Sequence, residues 1–528
     1  MSATYEDWKR AVDKELGGAP FDKKLVTRTP EGIALAPLYC EAPAIQVPTR
    51  NAEERFRVCT RWGADASAAA LQQDLDDGAD ALWLTEIPPG LALPAGALVV
   101  VDGSGAAGTS RSVDGSGEIA PNEAHVLRAF DPMQDARFDF APALQLARAH
   151  SSSVVISSLA HNLAGADAAA ELALMLSTAA LYFAEFDKAG IAPSAAATQM
   201  HLRVAIGADT FGELCKVRAL RWLWQKMVSA MKVQNTPITI HAVGAERTLS
   251  ARDPWVNMLR ATTQVFAAVL GGADLVTASA FDARLESPGE IGKRLARNTG
   301  LVLREESMLG MVRDPAAGSY YLDHRTNALA RLAWQRFQEI QREGGILALR
   351  ESGALAARLE ASWQARLAAL RTRKSPVLGV SEFANTGEQL PSPPRPTTAH
   401  YDAEPFETLR ARTPADAEVL LFTLGSFAES RPRAGFAANF FATAGLRAEE
   451  STEPRGAPLV CVCGTDERYL AELVDVARTL KDAGCKRIVV AGRPGEHEAA
   501  WRAAGVDDFV YVGCDALTSL THALEVFA

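Results

Sequence analysis

The sequence predicts an α/β protein, in which a (β/α)8 TIM barrel is followed by a small flavodoxin-like, doubly wound domain. One observation is a repeated unit, from about residue 54, in which a helical stretch ends in Gly-Ala-Asp and an apolar strand follows. AALQQDLDDGADALWL (69–84) and FAAVLGGADLVTASAFD (266–282) both show it. The other is a proline-rich break at 387–405, after which shorter strand–helix units begin near residue 416. Strands that alternate with helices form parallel sheets.

The barrel is predicted from the number of strands before the break. Between the two repeats lie the apolar stretches ALVVVDG (97–103), SSVVISSLA (152–160), HLRVAIG (201–207) and TPITIHAVG (236–244). Six or more strands, each followed by a helix, within about 300 residues favour a closed barrel over an open sheet.

The same pattern divides the chain into four parts. We expect an arm over residues 1–50, with one short helix and a strand in EGIALAPLY (31–39). The barrel and its trailing helices are expected over 51–372, and a proline-rich linker over 373–415. Residues 416–528 contain four apolar strands, EVLLFTLG, APLVCVCG, CKRIVVAGRPG and DDFVYVG, which indicate the doubly wound domain.

Composition excludes several classes of function. The 528 residues carry a formal net charge of −10 and no basic cluster, so nucleic acid is not an expected partner. We expect no membrane span, because no stretch offers about 18 uninterrupted apolar residues. The charged N-terminus lacks the apolar core of a signal peptide, and the seven cysteines lack framework spacing. These features predict a cytoplasmic protein.

Two short motifs have both a functional and a structural interpretation. GSGAAG (103–108) follows a strand and matches G-x-G-x-x-G, but the next residues, TSRSVDGSGEIAP, predict no helix. Because a dinucleotide needs the helix N-terminus, a flexible loop is favoured. Cys461 and Cys463 lie inside the apolar run APLVCVCG, which favours a buried strand over a metal site.

His241 is the candidate functional residue that the barrel pattern singles out. It ends the apolar stretch PITI and begins the loop AVGAERTLSARDP. The carboxyl ends of barrel strands form the active sites of such proteins, where a histidine could polarise a carbonyl group. A histidine that caps the strand and is hydrogen-bonded locally fits the pattern equally well, and the residues alone leave both possibilities open.

Four long segments resemble the methylmalonyl-CoA mutase family, in the family's order and over almost the whole chain. They are FDKKLVTRTPEGIALAPLY (21–39), RDPWVNMLRATTQVFAAVLGGADLVTASAFD (252–282), RLARNTGLVLREESMLGMVRDPAAGSYYLD (294–323) and SPVLGVSEFAN (375–385). The resemblance implies an acyl-CoA-binding (β/α)8 barrel and a C-terminal flavodoxin-like cobalamin domain. It also implies a radical carbon-skeleton rearrangement that adenosylcobalamin initiates.

The resemblance further implies that the cobalamin domain of this chain is degenerate. The family's domain opens with Lys-x-Gly and then Asp-x-His-x-x-Gly, whose histidine ligates cobalt and whose aspartate holds that histidine. Thr423 stands at the lysine position, and Phe427 and Glu429 stand at about the aspartate and histidine positions. There is no histidine in 401–496 and no lysine in 375–480. We therefore expect no cofactor and no metal ligand in this chain.

In the barrel, the resemblance implies that the catalytic residues are also missing. The chain has no tyrosine in 40–181, where the family has its active-site tyrosine. A family glutamine falls on Asn162, and the arginine that meets the substrate carboxylate falls near Gln199, with Arg203 close by. Only His241 keeps a family active-site residue. We expect no catalytic residue, and His241 as a vestigial substrate-binding residue.

The ending KDAGCKRIVVAGRPGEHEAAWRAAGVDDFVYVGCDALTSL (481–520) resembles the small chain of bacterial heterodimers in this family, which carries neither cobalamin nor catalysis. This implies a non-catalytic structural subunit of adenosylcobalamin-dependent methylmalonyl-CoA mutase. The homologous large subunit would be its partner and would bind adenosylcobalamin and the acyl-CoA. Two alternatives stay open, an active acyl-CoA mutase barrel that uses cobalamin from a separate subunit, and an acyl-CoA-binding protein without catalysis.

Overall fold

The computed structural model divides the chain into two compact units. The first comprises Met1–Glu246, Met258–Ala280 and Gly289–Ser362, and the second comprises Arg247–Asn257, Phe281–Pro288 and Trp363–Ala528. The structure describes residues 4–43, 47–50, 55–102, 125–133, 137–149, 152–233 and 236–527. The GSGAAG motif at 103–108 lies outside the described residues.

The first unit begins with two helices and a short strand pair. These are α1 (Tyr5–Glu15), α2 (Phe21–Leu25), β1 (Thr27–Arg28) and β2 (Ala34–Leu35), of which β1 and β2 pair antiparallel. The prediction of a single short helix in the arm was therefore wrong, because the arm contains two helices. The strand predicted in 31–39 spans only two residues, because its other apolar residues find no neighbouring strand.

The body of the first unit is the predicted barrel of eight parallel strands. In the sheet their order is β6-β5-β4-β3-β10-β9-β8-β7. A parallel bridge between Phe130 and Val154 joins β6 to β7 and closes the ring. The strands are β3 (Arg57–Trp62), β4 (Ala81–Leu84), β5 (Leu98–Asp102), β6 (His125–Ala129), β7 (Val154–Ser157), β8 (Met200–Ile206), β9 (Ile240–Gly244) and β10 (Leu275–Thr277).

Alternation along each strand separates the barrel lumen from the layer between strands and helices. In β4, Leu82 packs outward with Leu71 of the helix that precedes the strand. Trp83 points to the other face, where it clusters with residues such as Val100 and Val155 of other strands. Six of the eight strands, β4, β5 and β7–β10, are mainly apolar runs, which is why the barrel could be predicted from the sequence. The other two, β3 (RVCTRW) and β6 (HVLRA), contain charged residues and were not predicted.

Helices surround the barrel and continue after it. One of them, Ala168–Lys188, is by length and composition apolar enough to cross a membrane, but 72% of its most apolar 18 residues is buried inside the protein, as in a helix of a protein core. The helices are α3 (Ala68–Asp76), α4 (Ala141–Ala149), α5 (Leu159–Leu163), α6 (Ala168–Lys188), α7 (Pro193–Thr198), α8 (Thr210–Ala230), α9 (Val256–Leu270), α10 (Glu290–Glu305), α11 (Tyr320–Arg342), α12 (Gly345–Glu351) and α13 (Ala354–Arg371).

The second unit contains a parallel sheet of five strands in the order β12-β11-β13-β14-β15. This order is that of flavodoxin-like doubly wound sheets, so the predicted fold class is confirmed. The strand count was short by one, because the edge strand β12 has the polar sequence RAEES and no apolar run. The elements are α14 (Glu404–Ala411), β11 (Glu418–Thr423), α15 (Phe427–Ala442), β12 (Arg447–Ser451), β13 (Leu459–Cys463), α16 (Asp466–Asp482), β14 (Arg487–Ala491), α17 (Glu498–Ala503), β15 (Asp508–Val510) and α18 (Ala516–Leu524).

Candidate functional site

His241 lies inside the barrel, near the beginning of β9. The sequence placed it at the end of a strand, but β9 begins at Ile240 and continues to Gly244. The imidazole is buried, and its Nε2 atom is 2.8 Å from the hydroxyl oxygen of Thr277 on the adjacent strand β10. Thr277 donates its only hydroxyl proton to the carbonyl of Cys59. The His241 Nε2 atom must therefore be the donor in its own bond.

Burial keeps the imidazole of His241 neutral. Its pKa is lowered well below the ordinary value, first because the ring is desolvated and then because the charge of Arg203 opposes protonation. With Nε2 as donor, the remaining Nδ1 atom carries a lone pair and makes no hydrogen bond among the described residues. His241 is thus hydrogen-bonded to the adjacent strand and does not cap its own strand.

The indole of Trp83 crosses the barrel to reach His241. Trp83 is on β4, while Arg203 is on β8, which is four strands away in a ring of eight and therefore opposite. The Trp83 ring centroid is nevertheless 4.2 Å from the guanidinium carbon of Arg203 and 5.4 Å from the His241 ring centroid, which it meets edge to face. A second guanidinium, that of Arg61, lies 4.8 Å from the same indole. These side chains occupy the lumen beside His241.

The charges of these two arginines are each matched by one carboxylate. Arg203 Nη1 is 2.9 Å from a carboxylate oxygen of Asp102, and Arg61 Nη1 is 2.7 Å from one of Glu246. Arg203 is buried to 98% of its surface, whereas Arg61 is half-exposed. Only Arg203 therefore holds a charge in a setting of low dielectric constant, where its electrostatic effect is strong.

The other barrel positions assigned by the resemblance do not join this cluster. Asn162 is buried in α5 and donates to Glu171 at 2.8 Å. Glu171 also accepts from Ser158 and pairs with the buried Lys216. Gln199 follows α7 as its C-cap, with its backbone N–H bonded to Ala196. Asn162 is thus part of a buried ion network.

In the second unit, the turn after β11 is built around Gly425 and Glu429. Gly425 has φ = +76°, which favours glycine, and a Cβ atom there would lie 2.7 Å from Arg468 Nε and from Glu429 Oε2. Glu429 accepts hydrogen bonds from the backbone N–H and hydroxyl of Ser426, each at 2.7 Å, and so caps the first turn of α15.

Both carboxylate oxygens of Glu429 accept hydrogen bonds within this turn. Arg468 Nε donates to its Oε1 atom at 3.0 Å, and Arg468 also pairs with Glu472. These bonds, Arg468 first and then the Ser426 backbone, lower the pKa of Glu429 to about 2. Phe427 lies beside it with 70% of its surface exposed. Neither side chain offers a neutral nitrogen donor such as the histidine that the resemblance assigns to this turn.

Cys461 and Cys463 lie in β13, and both are fully buried, as the strand interpretation predicted. Burial raises the pKa of the Cys461 thiol well above its ordinary value, so the thiol stays protonated. Within the described ranges no group of three or more His, Cys, Asp or Glu side chains is placed to hold a metal ion.

Neither Trp83 nor Arg203 was predicted from the sequence to fill the lumen. A signal was present for each of them. Arg203 is the only charged residue in the apolar strand HLRVAIG, and Trp83 is a large residue in the short strand ALWL, whose neighbours face a crowded barrel centre. The contact between the two side chains could not be predicted, because it depends on the register of the strands. The register decides which side of the barrel each residue faces.

The strand orders of the two units define the class of the protein, which is a (β/α)8 barrel followed in the chain by a flavodoxin-like domain. The profile of the family described as methylmalonyl-CoA mutase matches residues 133–439, more than half of the chain. The chain belongs to the methylmalonyl-CoA mutase family.

Similar relatives that span almost the whole chain are named as small subunits. The chain is 32% identical to the methylmalonyl-CoA mutase small subunit of Streptomyces virginiae, over 99% of this chain and 96% of that protein. It is 28% identical to the small subunit of Propionibacterium freudenreichii subsp. shermanii, over 99% of this chain and 95% of that one. The large subunit of Streptomyces virginiae is 31% identical, over 56% of this chain and 41% of the relative. The small-subunit resemblance predicted from the sequence is confirmed.

Proposed function

We propose that the chain is the non-catalytic structural subunit of an adenosylcobalamin-dependent methylmalonyl-CoA mutase in the cytoplasm. A homologous large subunit would bind adenosylcobalamin and the acyl-CoA and would interconvert succinyl-CoA and methylmalonyl-CoA. One observation carries the proposal. Trp83 and Arg203 meet across the lumen against His241, the one residue that the resemblance assigns to substrate binding. With Nε2 bonded to Thr277 and only 1% of its surface exposed, His241 is not accessible to a substrate from solvent.

The turn at Gly425 supports the same conclusion for the cofactor. Cobalt ligation from below requires a neutral nitrogen held by a second group. Glu429 instead offers a carboxylate that is already bonded to Ser426 and Arg468. We therefore infer that the doubly wound domain serves the assembly rather than the chemistry, and that a permanent pair of this kind buries well over about 2,000 Å².

The test is reconstitution with a large subunit that retains the family's cobalt-ligating histidine. The two chains should co-purify, and this chain alone, dialysed against adenosylcobalamin, should retain no corrinoid absorbance. His241→Ala should leave the interconversion rate of the assembled enzyme nearly unchanged, with His241→Asn as a variant closer in volume. A hundredfold loss of rate, about 2.7 kcal/mol of transition-state stabilisation, with assembly intact would show that this chain takes part in the chemistry.

The same experiment separates the two alternatives. An active barrel that borrows cobalamin would lose its rate with His241→Ala, and would turn over when a large subunit with an inactivated barrel supplies the cofactor. An acyl-CoA-binding protein would bind succinyl-CoA by itself in calorimetry without any corrinoid. Absence of both results, together with co-purification, is the outcome expected for a structural subunit.

A further inference from the structure

Two exposed methionines lie three residues apart in the loop that follows α10. Met308 is 58% exposed and Met311 is 65% exposed. The sequence contains nine methionines, of which Met1 lies outside the described residues, and the other six are buried or half-buried. Oxidation to the sulfoxide is a common reaction of methionine and requires that the reagent reach the sulfur atom. Within the described part of the chain, this loop is therefore the place where oxidation is expected first.

The backbone fixes how the two sulfur atoms are presented. Leu309, between the two methionines, packs against the main hydrophobic core of the first unit. The carbonyl of Gly310 accepts a hydrogen bond from the buried Arg50 at 3.0 Å. Met308 has φ = +54°, in the left-handed region that residues other than glycine rarely adopt, and such a conformation persists only where the surrounding structure holds it. The loop is thus anchored from within, and its two thioethers extend outward.

The guanidinium group of Arg55 lies against both sulfur atoms. Its Nη2 atom is 2.9 Å from Met311 Sδ and 3.9 Å from Met308 Sδ. Its Nη1 atom donates to a carboxylate oxygen of Glu305 at 2.9 Å. A thioether sulfur is a weak acceptor, so the N–H groups on Nη2 make only weak hydrogen bonds here. A cationic donor therefore lies beside two atoms that can be oxidised.

Oxidation would strengthen one of these contacts. The sulfur lone pair attacks one oxygen of hydrogen peroxide, the O–O bond breaks, and the second oxygen leaves as water after it takes up the proton of the first. Sulfur thereby loses two electrons, which the peroxide gains. The sulfoxide oxygen carries a partial negative charge, and a guanidinium group binds such an oxygen more strongly than it binds a thioether. The 3.9 Å between Met308 Sδ and Arg55 Nη2 leaves room for one oxygen atom, whereas the 2.9 Å contact at Met311 does not.

We propose that Met308 is a site of oxidation by hydrogen peroxide and that Arg55 binds the oxygen atom of the sulfoxide formed. The guanidinium group meets the S–O dipole as it develops, so it accelerates the reaction at Met308 and directs the oxygen to one side of the sulfur. Met311 is the more exposed of the two, so it would react first if exposure alone decided. This inference is independent of the function proposed above, because neither the barrel lumen nor the turn at Gly425 takes part.

The test is peroxide treatment of the full chain, followed by peptide mapping with mass spectrometry. Both methionines lie in the tryptic peptide 305–313, whose fragment ions assign the oxygen to one of them. Met308 should be oxidised about fivefold faster than Met311, which is the effect expected of one charge-assisted hydrogen bond. Arg55→Leu should remove this preference. Arg478→Leu is the control, because Arg478 is an exposed arginine of the second unit, and it should leave the ratio unchanged.

A second readout follows from the chirality of the product. Methionine sulfoxide has two epimers, and each is reduced by a different reductase. Oxygen delivered on the side of Arg55 should give mainly one epimer at Met308, so that one reductase restores most of the methionine and the other restores little. Arg55→Leu should give both epimers in similar amounts. Faster oxidation of Met311 than of Met308 in the wild type, a rate ratio unchanged in Arg55→Leu, or an even mixture of epimers in the wild type would overturn the proposal.

Discussion

The barrel lumen and the carboxyl edge of the doubly wound sheet differ in how they are occupied. The resemblance assigns a substrate to the first and a cofactor to the second. In the lumen, a buried aromatic ring and a buried cation meet across the barrel at 4.2 Å. At the edge, an exposed glycine turn is bridged by Glu429 and Arg468, whose side chains are partly exposed. The lumen is filled by buried side chains, whereas the turn at the edge is held by ion pairs and hydrogen bonds at the surface.

The difference matters for stability. Buried packing contributes several kcal/mol per large side chain, while exposed ion pairs contribute little. Substitutions in the lumen should therefore destabilise the whole unit, and substitutions at the edge should have small local effects. This comparison can be tested by changing one aromatic residue in each region.

Trp83→Ala should show the largest effect. The indole is 2% exposed and contacts Arg203, Arg61 and His241, so its loss removes buried surface and leaves a cavity. We expect the free energy of unfolding to fall by about 3–5 kcal/mol in urea denaturation. The matched variant is Phe427→Ala at the edge, where the ring is 70% exposed and the loss should stay within about 0.5 kcal/mol. Equal losses in the two variants would contradict the contrast between the regions.

The sequence supported the fold well because its signals are local. Strands buried on both faces, such as ALWL and HLRVAIG, are apolar runs that can be recognised without a partner. The edge strand β12 has only one neighbour, β11, and its polar sequence RAEES resembles a loop. Its assignment as a strand depends on that neighbour, which the sequence pattern does not identify.

At the candidate sites, the sequence could predict which residue types are absent, but not which side chains meet. The absence of a histidine in the turn that contains Glu429 follows from the sequence alone. In contrast, the contact between Trp83 and Arg203 depends on two strands that are about 120 positions apart and on which face each residue takes. His241 was placed at a strand end, because the apolar stretch PITI before it resembles a strand, whereas the ladder with β8 begins at Ile240.

A second difference between the regions should appear as pH dependence. His201 is buried in the barrel, and burial, followed by the charge of Arg203, lowers its pKa to about 3. The unfolded chain binds a proton at His201 near pH 6.5, while the folded chain does not. The stability that this histidine contributes is therefore present above pH 6.5 and is lost as pH falls from there towards 3. The loss should be about 1.5–2 kcal/mol between pH 6.5 and 5.

The measurement is the free energy of unfolding at several pH values for the wild type and His201→Gln. The variant should be less sensitive to acid, with a slope lower by up to about 1.4 kcal/mol per pH unit below pH 6. His497→Gln is the control, because His497 lies at the surface of the second unit with 43% of its side chain exposed. Identical slopes for the wild type and His201→Gln would show that His201 accepts its proton in the folded barrel.

The smallest predicted effect concerns the backbone of the edge turn. A second glycine in the same domain serves as a control, because its substitution should change the free energy of unfolding in the opposite direction. At Gly425, φ = +76° and the 2.7 Å approach of Arg468 and Glu429 disfavour any side chain, so Gly425→Ala should cost about 1–2 kcal/mol. Gly435 lies within α15, where an added Cβ atom meets nothing within 4 Å. Gly435→Ala should therefore stabilise by about 0.5–1 kcal/mol through helix propensity. Both are measured by urea denaturation followed by circular dichroism. If Gly425→Ala were neutral while Gly435→Ala stabilised, the turn would tolerate a side chain, and Glu429 and Arg468 would not close it.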